Sequence, residues 1–407
     1  MKCRHCQKPL EHVFLDLGFA PPSNDYLSPA DMHAPERYFP LKVFICDACW
    51  LAQTEDYSKA DEIFRSDYAY FSSTSSSWLA HSAAYAKMIT ERLGLSGSSL
   101  VVELASNDGY LLKSFVAAGI PVLGIEPTKG TAEAAIAIGV PTLVEFFGTK
   151  MAKRLAVEGK KADLIIGNNV FAHVPDINDF TAGMKEMLKS GGTITLEFPH
   201  LMQLISLCQF DTVYHEHYSY LSLYTVSKVF EKAGLRVLDV EQLPTHGGSM
   251  RVYGCHRDDP RPQTAAVPAL IAEEEKRGMR GLPLYQAFQA RADKVKNDLV
   301  AFLIEQKRLG KKVAAYGAAA KGNTILNYGG VKPDLLPFVC DAAPSKQNKF
   351  MPGSHIPILP PAALLAAKPD FVLILPWNIA KEVEKQMAAV REWGGRFVVA
   401  VPEIRVF

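Results

Sequence analysis

Val101-Val102-Glu103-Leu104-Ala105-Ser106-Asn107-Asp108-Gly109-Tyr110-Leu111-Leu112 is the stretch that decides the fold. A short apolar run, too brief for a helix, enters a polar turn, and the residues beyond it read as helix. Strand, loop and helix in that order open a doubly wound sheet, in which ligands meet the carboxyl ends of the strands. The alternation continues outward. Val122-Leu123-Gly124-Ile125-Glu126, Leu164-Ile165-Ile166-Gly167 and Thr193-Ile194-Thr195-Leu196-Glu197 read as strands separated by helix-length segments. A parallel sheet covered on both faces follows from that pattern.

The flanks differ from this core. Upstream lie a helix expected over about 79–92 and a serine-rich connector, Tyr68-Ala69-Tyr70-Phe71-Ser72-Ser73-Thr74-Ser75-Ser76-Ser77-Trp78. Before the connector are short aromatic and apolar stretches such as Tyr38 to Ile45, which read as strands of a small β module. Downstream, Leu284, Phe288, Val295, Leu299, Phe302 and Leu303 recur at helical spacing and predict one long amphipathic helix. Strands then resume at Lys312–Tyr316, Leu336–Cys340, Phe371–Leu375 and Phe397–Val401, which predicts a second, smaller α/β domain. The expected division is 1–65, 66–283 and 284–407, in keeping with a 407-residue chain too long for one core.

Composition excludes several classes. Lys and Arg number 44 against 43 Asp and Glu, and no basic block stands out, which argues against nucleic acid as the main partner. No apolar run is long enough to cross a bilayer, and the N-terminus has no apolar signal core, so a cytoplasmic protein is expected. In that compartment cysteines stay reduced. Cys3-x-x-Cys6 and Cys46-x-x-Cys49 therefore read as two knuckles whose thiolates complete a tetrahedron around a structural zinc ion. All four ligands would come from protein, so the ion would have no open position for catalysis. Cys208, Cys255 and Cys340 are isolated and read as packing residues.

The loop after the first strand supplies Ala105, Asn107, Asp108 and Gly109 beside Glu103, and the second strand ends in Glu126-Pro127. An acidic residue at that strand tip is placed to accept the hydroxyls of a ribose, which fits an adenosine cofactor. The glycine fingerprint for a dinucleotide pyrophosphate is missing, because Ala105 and Ser106 stand in the turn. A sulfonium cofactor needs no phosphate cradle, so S-adenosylmethionine is favoured over NAD. Asn168 and Asn169 form a further polar loop at a strand end.

The chemical constellation is Tyr214-His215-Glu216-His217-Tyr218. Imidazole, carboxylate and phenol together suit proton abstraction and stabilisation of a developing oxyanion. Read as a strand, this stretch places His215 and His217 on one face and Glu216 on the other, with one histidine purely structural, as His200 also reads. Tyr218, Tyr220 and Trp78 read as packing. His246-Gly247-Gly248-Ser249 and Tyr316-Gly317-Ala318-Ala319-Ala320-Lys321-Gly322 offer exposed backbone donors and a lysine at a helix start, a pocket for a diphosphate. The competing reading is a Rossmann-like domain that only covers the active site.

With these stretches and Asp341-Ala342-Ala343-Pro344-Ser345-Lys346-Gln347-Asn348, nearly the whole chain resembles the S-adenosylmethionine-dependent C-methyltransferases of nucleotide-linked deoxysugars. The resemblance implies a zinc-binding β module, a central Rossmann-like class I methyltransferase domain and a smaller C-terminal Rossmann-like α/β domain. It implies alkylation of carbon 3 beside the ketone of a 4-keto sugar carried on a nucleoside diphosphate. On that analogy His217 is the base, Glu216 and Tyr214 orient it or bond the sugar, and His173 and Tyr68 line the site. Glu216 is the alternative base. Cofactor contacts fall to Glu103, Ala105, Asn107, Asp108, Gly109, Glu126, Pro127, Asn168 and Asn169. Substrate contacts fall to Tyr70, His246, Gly247 and Lys321. The chain departs from the family pattern at Ala105, Ser106 and His215, the last of which points to a different sugar or a substrate of another kind. The rival functions are an O- or N-methyltransferase, an NAD-dependent sugar-nucleotide oxidoreductase and a zinc-dependent nucleic-acid binder. The expected partner is a small molecule. No membrane is expected, and the oligomeric state stays open, with a monomer compatible.

Overall fold

The computed structural model describes residues 1–57 and 71–407. Near the N-terminus, β1 (His12–Ala20), β2 (Phe39–Ile45) and β3 (Ala52–Thr54) form an antiparallel sheet. The central region contributes β4 (Val101–Leu104), β5 (Val122–Ile125), β6 (Thr142–Leu143), β7 (Ala162–Asn168) and β8 (Leu188–Pro199). After these come β9 (Ser219–Tyr220), β10 (Leu235–Leu243) and β11 (Ser249–His256). The last region holds β12 (Val313–Tyr316), β13 (Val339–Cys340), β14 (Ile358–Leu359), β15 (Phe371–Ile374), β16 (Arg396–Val399) and β17 (Arg405–Val406).

The central sheet runs β10-β11-β8-β7-β4-β5-β6, with only β11 antiparallel to its neighbours. All four residues of β4 are buried, as a strand covered on both faces requires. From β4 the chain order proceeds outward on one side through β5 and β6 and on the other through β7 and β8. That reversal leaves a crevice at the carboxyl end of β4, where ligands of open α/β sheets bind. The C-terminal sheet, β14-β13-β12-β15-β16-β17, repeats the device at β12, flanked by β13 and β15. A mixed α/β architecture with two such crevices is what the alternation of strands and helices predicts.

The N-terminal sheet is completed from elsewhere. β9 adds to β3, pairing Ala52 with Tyr220 and Gln53 with Ser219. The segment just before β9 is the constellation, so the small module grips it directly. The expected long helix is two helices, Leu282–Gln286 and Phe288–Arg308, and Phe14 of β1 packs against Tyr285 and Phe288 on either side of the step. One continuous apolar cluster draws on all three regions, from Leu15 and Val43 through Ile165 and Leu196 to Val339 and Leu373. The helix expected over 79–92 spans Ser76–Leu93, its start capped by Ser75 and its end by Gly94 in the left-handed region.

Candidate active site and metal centre

The two knuckles are built alike. In each, the residue after the second cysteine, Gln7 or Trp50, has a positive φ and returns a backbone N–H to the carbonyl of the first, Cys3 or Cys46. The turn aims both sulfurs inward. All four sulfurs lie within 4.8 Å of one another, and Cys3–Cys49 and Cys6–Cys46 are each 3.5 Å apart. A tetrahedral zinc ion at about 2.3 Å from each sulfur would separate them by about 3.8 Å. Gln53 is fully buried and donates its amide to Cys3 Sγ at 3.2 Å, an outer hydrogen bond of the kind that orients a thiolate. The donor set fits zinc and leaves no coordination position for a substrate.

A cavity of about 380 Å³ opens at the carboxyl ends of β4 and β12 together. From the first crevice it is lined by Ala105, Asn107, Glu126, Pro127, Asn168 and Asn169, and from the second by Ala319, Ala320 and Lys321. Tyr214, Glu216, His217, His173 and His246 line the wall between. Glu126 accepts the backbone N–H of Asn107 at 2.9 Å and of Thr128 at 2.8 Å, which fixes its carboxylate at the tip of β5. Burial raises its pKa despite those donors. Ala105, Asn107 and Asn169 all hold positive φ, which bends both polar loops toward the cavity.

The remaining expected cofactor residues stand behind this surface. Glu103 lies in β4, 1% exposed, and desolvation holds its carboxyl well above the usual range. Asp108 accepts the N–H of Ser73 at 3.1 Å, and Asn107 that of Ser72 at 2.9 Å, so the loop anchors the segment entering the helix at Ser76. Gly109, at φ +75°, packs on Ala135 and Val140. Gly247 also lies outside the lining, and a Cβ there would run into the Trp377 ring. Tyr68 and Tyr70 lie outside the described residues.

The constellation is a turn, not the strand that residue alternation predicts. The N–H of His217 bonds the carbonyl of Tyr214 at 2.9 Å, and the turn sends the two histidines apart. His215 faces the N-terminal sheet, with Nε2 at 3.3 Å and 3.2 Å from the carbonyls of Phe39 and Pro40. His217 enters the cavity, its ring 4.0 Å from that of Tyr214 and 4.6 Å from that of His173. His217 Nδ1 lies 3.0 Å from the Thr212 carbonyl. A carbonyl can only accept, so Nδ1 carries the proton and Nε2 keeps its lone pair. Burial, then the neighbouring His173, with Lys321 and His246 adding, holds the imidazole well below its ordinary value. His200 is structural, bonded 2.7 Å from Glu274, which also caps the helix beginning at Leu223.

Several groups around the cavity carried no assignment from sequence. Asn24 donates to Glu216 Oε1 at 2.7 Å. Lys321 donates to Asn378 at 2.6 Å and lies over the Trp377 ring, whose Nε1 donates to Asp211 at 2.7 Å. Burial pushes the Asp211 carboxyl up to about 6. Lys346 also lines the cavity. Trp78, expected as core, is buried and forms cavity wall, stacked on His81 and edge-on to His246. The only signal for Lys346 was its place in the Asp341–Asn348 stretch. Asp211 had the same kind of signal, its place in the Phe210–His217 stretch that shares the family resemblance; for Asn24 there was none, since its partner is distant in the chain.

Two crevices facing one cavity, with polar loops at strand tips and a titratable cluster between them, make a Rossmann-like α/β protein with one candidate active site. Three family models match successive parts of the chain. "Putative zinc binding domain" matches residues 3–64, "Methyltransferase domain" residues 79–240, and "C-methyltransferase C-terminal domain" residues 244–402. The C-methyltransferase NovU of Streptomyces niveus is 34% identical over 405 residues, covering 100% of this chain and 96% of its own. The ubiquinone biosynthesis O-methyltransferase of Bartonella quintana is 28% identical over 95 residues, covering 23% of this chain and 38% of its own. The magnesium protoporphyrin IX methyltransferase ChlM of Synechocystis PCC 6803, solved with bound SAH, covers 43% of this chain and 81% of its own at 15% identity and a TM-score of 0.34. The chain belongs to the C-methyltransferase family that includes NovU. It is an S-adenosylmethionine-dependent methyltransferase with a zinc-binding domain. No helix among the described residues is long and apolar enough to cross a membrane.

Proposed function

We propose that this C-methyltransferase acts on carbon 3 of a 4-keto deoxysugar carried on a nucleoside diphosphate, through an enolate raised by His217. The observation that carries the reading is the single cavity shared by Asn107, Glu126 and Asn168 on one side, Tyr214, Glu216 and His217 in the middle and Lys321 opposite. The three units, 1–65, 66–283 and 284–407, would then be a zinc-stabilised module, a methyl-donor domain and a sugar-nucleotide domain meeting around that cavity, with the zinc outside it.

A C–H beside a ketone is acidic enough for imidazole once the resulting oxyanion is stabilised. His217 Nε2 would take the proton, and the Thr212 carbonyl would hold the imidazolium through Nδ1. Tyr214, in ring contact with His217, would donate its phenol to the enolate oxygen without bringing a charge. The lowered basicity of His217 has a use here. Lys321 contributes to that lowering, and a diphosphate seated on Lys321 and Lys346 would cancel the repulsion and make the base stronger with substrate in place. S-adenosylmethionine, when bound, supplies the electrophilic methyl group, and Glu126 with the Asn107 and Asn168 loops would hold its adenosine. Enclosure by the two α/β domains keeps water from competing for the nucleophile.

The test is incubation with methyl-labelled S-adenosylmethionine and a panel of 4-keto-6-deoxy sugars on thymidine and other nucleoside diphosphates. Label retained on carbon 3 supports the reading. Label on oxygen or nitrogen, or only on acceptors lacking a ketone, refutes it.

A further inference from the structure

The turn from β1 to β2 is not a short hairpin. Residues 21–38 leave the N-terminal sheet and cross to the C-terminal domain, where they are pinned at several points. Asn323 donates to the Ser23 carbonyl at 2.6 Å, Tyr26 donates to the Ala318 carbonyl at 2.6 Å, and Leu27 exchanges backbone hydrogen bonds with Phe350. Farther along, Glu36 accepts the N–H of Gly353 at 2.8 Å and lies 2.9 Å from His355 Nε2. Between the first two pins stands Asn24, in the cavity wall and 2.7 Å from Glu216 Oε1. A carboxylate can only accept, so the amide nitrogen faces it. The zinc-bearing module thus brings a side chain to a site otherwise built by the two α/β domains.

We propose that Asn24 is a positioning residue for the reaction: its amide fixes the Glu216 carboxylate beside His217, so that the strap over 23–27 completes the active site. This rests on the reading of His217 as the base, with Glu216 orienting it or bonding the sugar. Around Glu216 the cavity also holds His173, His217, Lys321 and Lys346, and Tyr26 on the strap feels its charge. Asn24→Asp is close in shape but removes the donor and sets a second carboxylate against Glu216, whereas Asn24→Ala only removes the donor.

The first readout needs no substrate. Protein labelled with 13Cδ-glutamate is titrated by NMR, and the Glu216 signal is assigned from Glu216→Gln. The Glu216 midpoint is expected to rise by about one pH unit in Asn24→Asp and by less in Asn24→Ala. With thymidine diphosphate-linked 4-keto-6-deoxyglucose, kcat is expected to fall in both variants, with KM for S-adenosylmethionine unchanged. Unmoved midpoints in both variants, or a common loss of melting temperature as their only effect, would overturn the proposal. Glu216→Gln and His217→Ala tell the two failures apart. If they abolish turnover while Asn24 variants titrate as wild type, only the positioning role fails. If they turn over normally, the reading of His217 and Glu216 fails.

Discussion

Lowering the pH should load protons onto two cavity histidines only when the protein unfolds. His173 and His246 both line the cavity, and burial lowers each to about 4. The His173 ring recovers part of the loss by bonding the Glu216 backbone, while the Lys321 charge depresses His246 further. An unfolded histidine titrates near 6.5, so at pH 5 each should go from about 10% to about 97% protonated on unfolding, an uptake of about 0.9 proton. A folded-state pKa below the unfolded one gives stability that is complete above 6.5 and is lost as pH falls toward 4. By pH 5 the loss is about 2 kcal/mol per histidine. Asp211 has the opposite sign, since its raised value of about 6 stabilises the fold at low pH and loses that effect as pH rises through 6. It is present in every variant and cancels in the difference. The assay is potentiometric proton uptake on unfolding in guanidinium at pH 5, which requires no two-state transition. His173→Asn and His246→Asn should each reduce uptake by about 0.9 proton at pH 5 and by about 0.1 at pH 7.5. Reductions near zero at pH 5 would mean that both rings titrate as in water, and the desolvated cavity would have to be given up.

Other substitutions probe separate parts of the account. Ala105 holds a φ of +54°, so Ala105→Gly should relieve strain worth about 1 kcal/mol and raise the thermal midpoint by about 1–2 °C; a lower midpoint would contradict this. Cys46→Ser should remove the zinc, measured by atomic emission, and expose the first 54 residues to protease. Because Thr54 bonds the carbonyls of His217 and Tyr218, turnover should also fall at least about tenfold. Lys321→Met should raise KM for the sugar nucleotide by about 10–100-fold with little change for S-adenosylmethionine, since a charge-assisted hydrogen bond is worth about 1.5–3 kcal/mol.

The fold was readable because β4, β5 and β7 are fully or nearly fully buried and therefore appear as short apolar runs. The knuckles were readable because a two-residue spacing is itself the geometry of the turn. The strand reading of Tyr214–Tyr218 failed because alternation over five residues does not distinguish a strand from a turn held by one N–H, that of His217. Glu103 reads as a strand-end ligand, yet it is buried within the sheet, opposite Gly124 and Ile166. Asn24 was invisible for another reason. It is 192 residues from Glu216, and only the folding of the strap onto the C-terminal domain makes them neighbours. Lys321 was found from a helix start, but its setting over Trp377 and near Asp211 was not, since those contacts also join distant segments.

Hydrogen–deuterium exchange at the carbon beside the ketone tests proton abstraction apart from methyl transfer. A thymidine diphosphate-linked 4-keto-6-deoxy sugar would be held in D2O with enzyme and S-adenosylhomocysteine, and wash-in followed by NMR. Wild type should exchange rapidly and His217→Ala about 100-fold or more slowly, with S-adenosylmethionine affinity intact. Exchange by His217→Ala at the wild-type rate would place the base elsewhere and contradict the account.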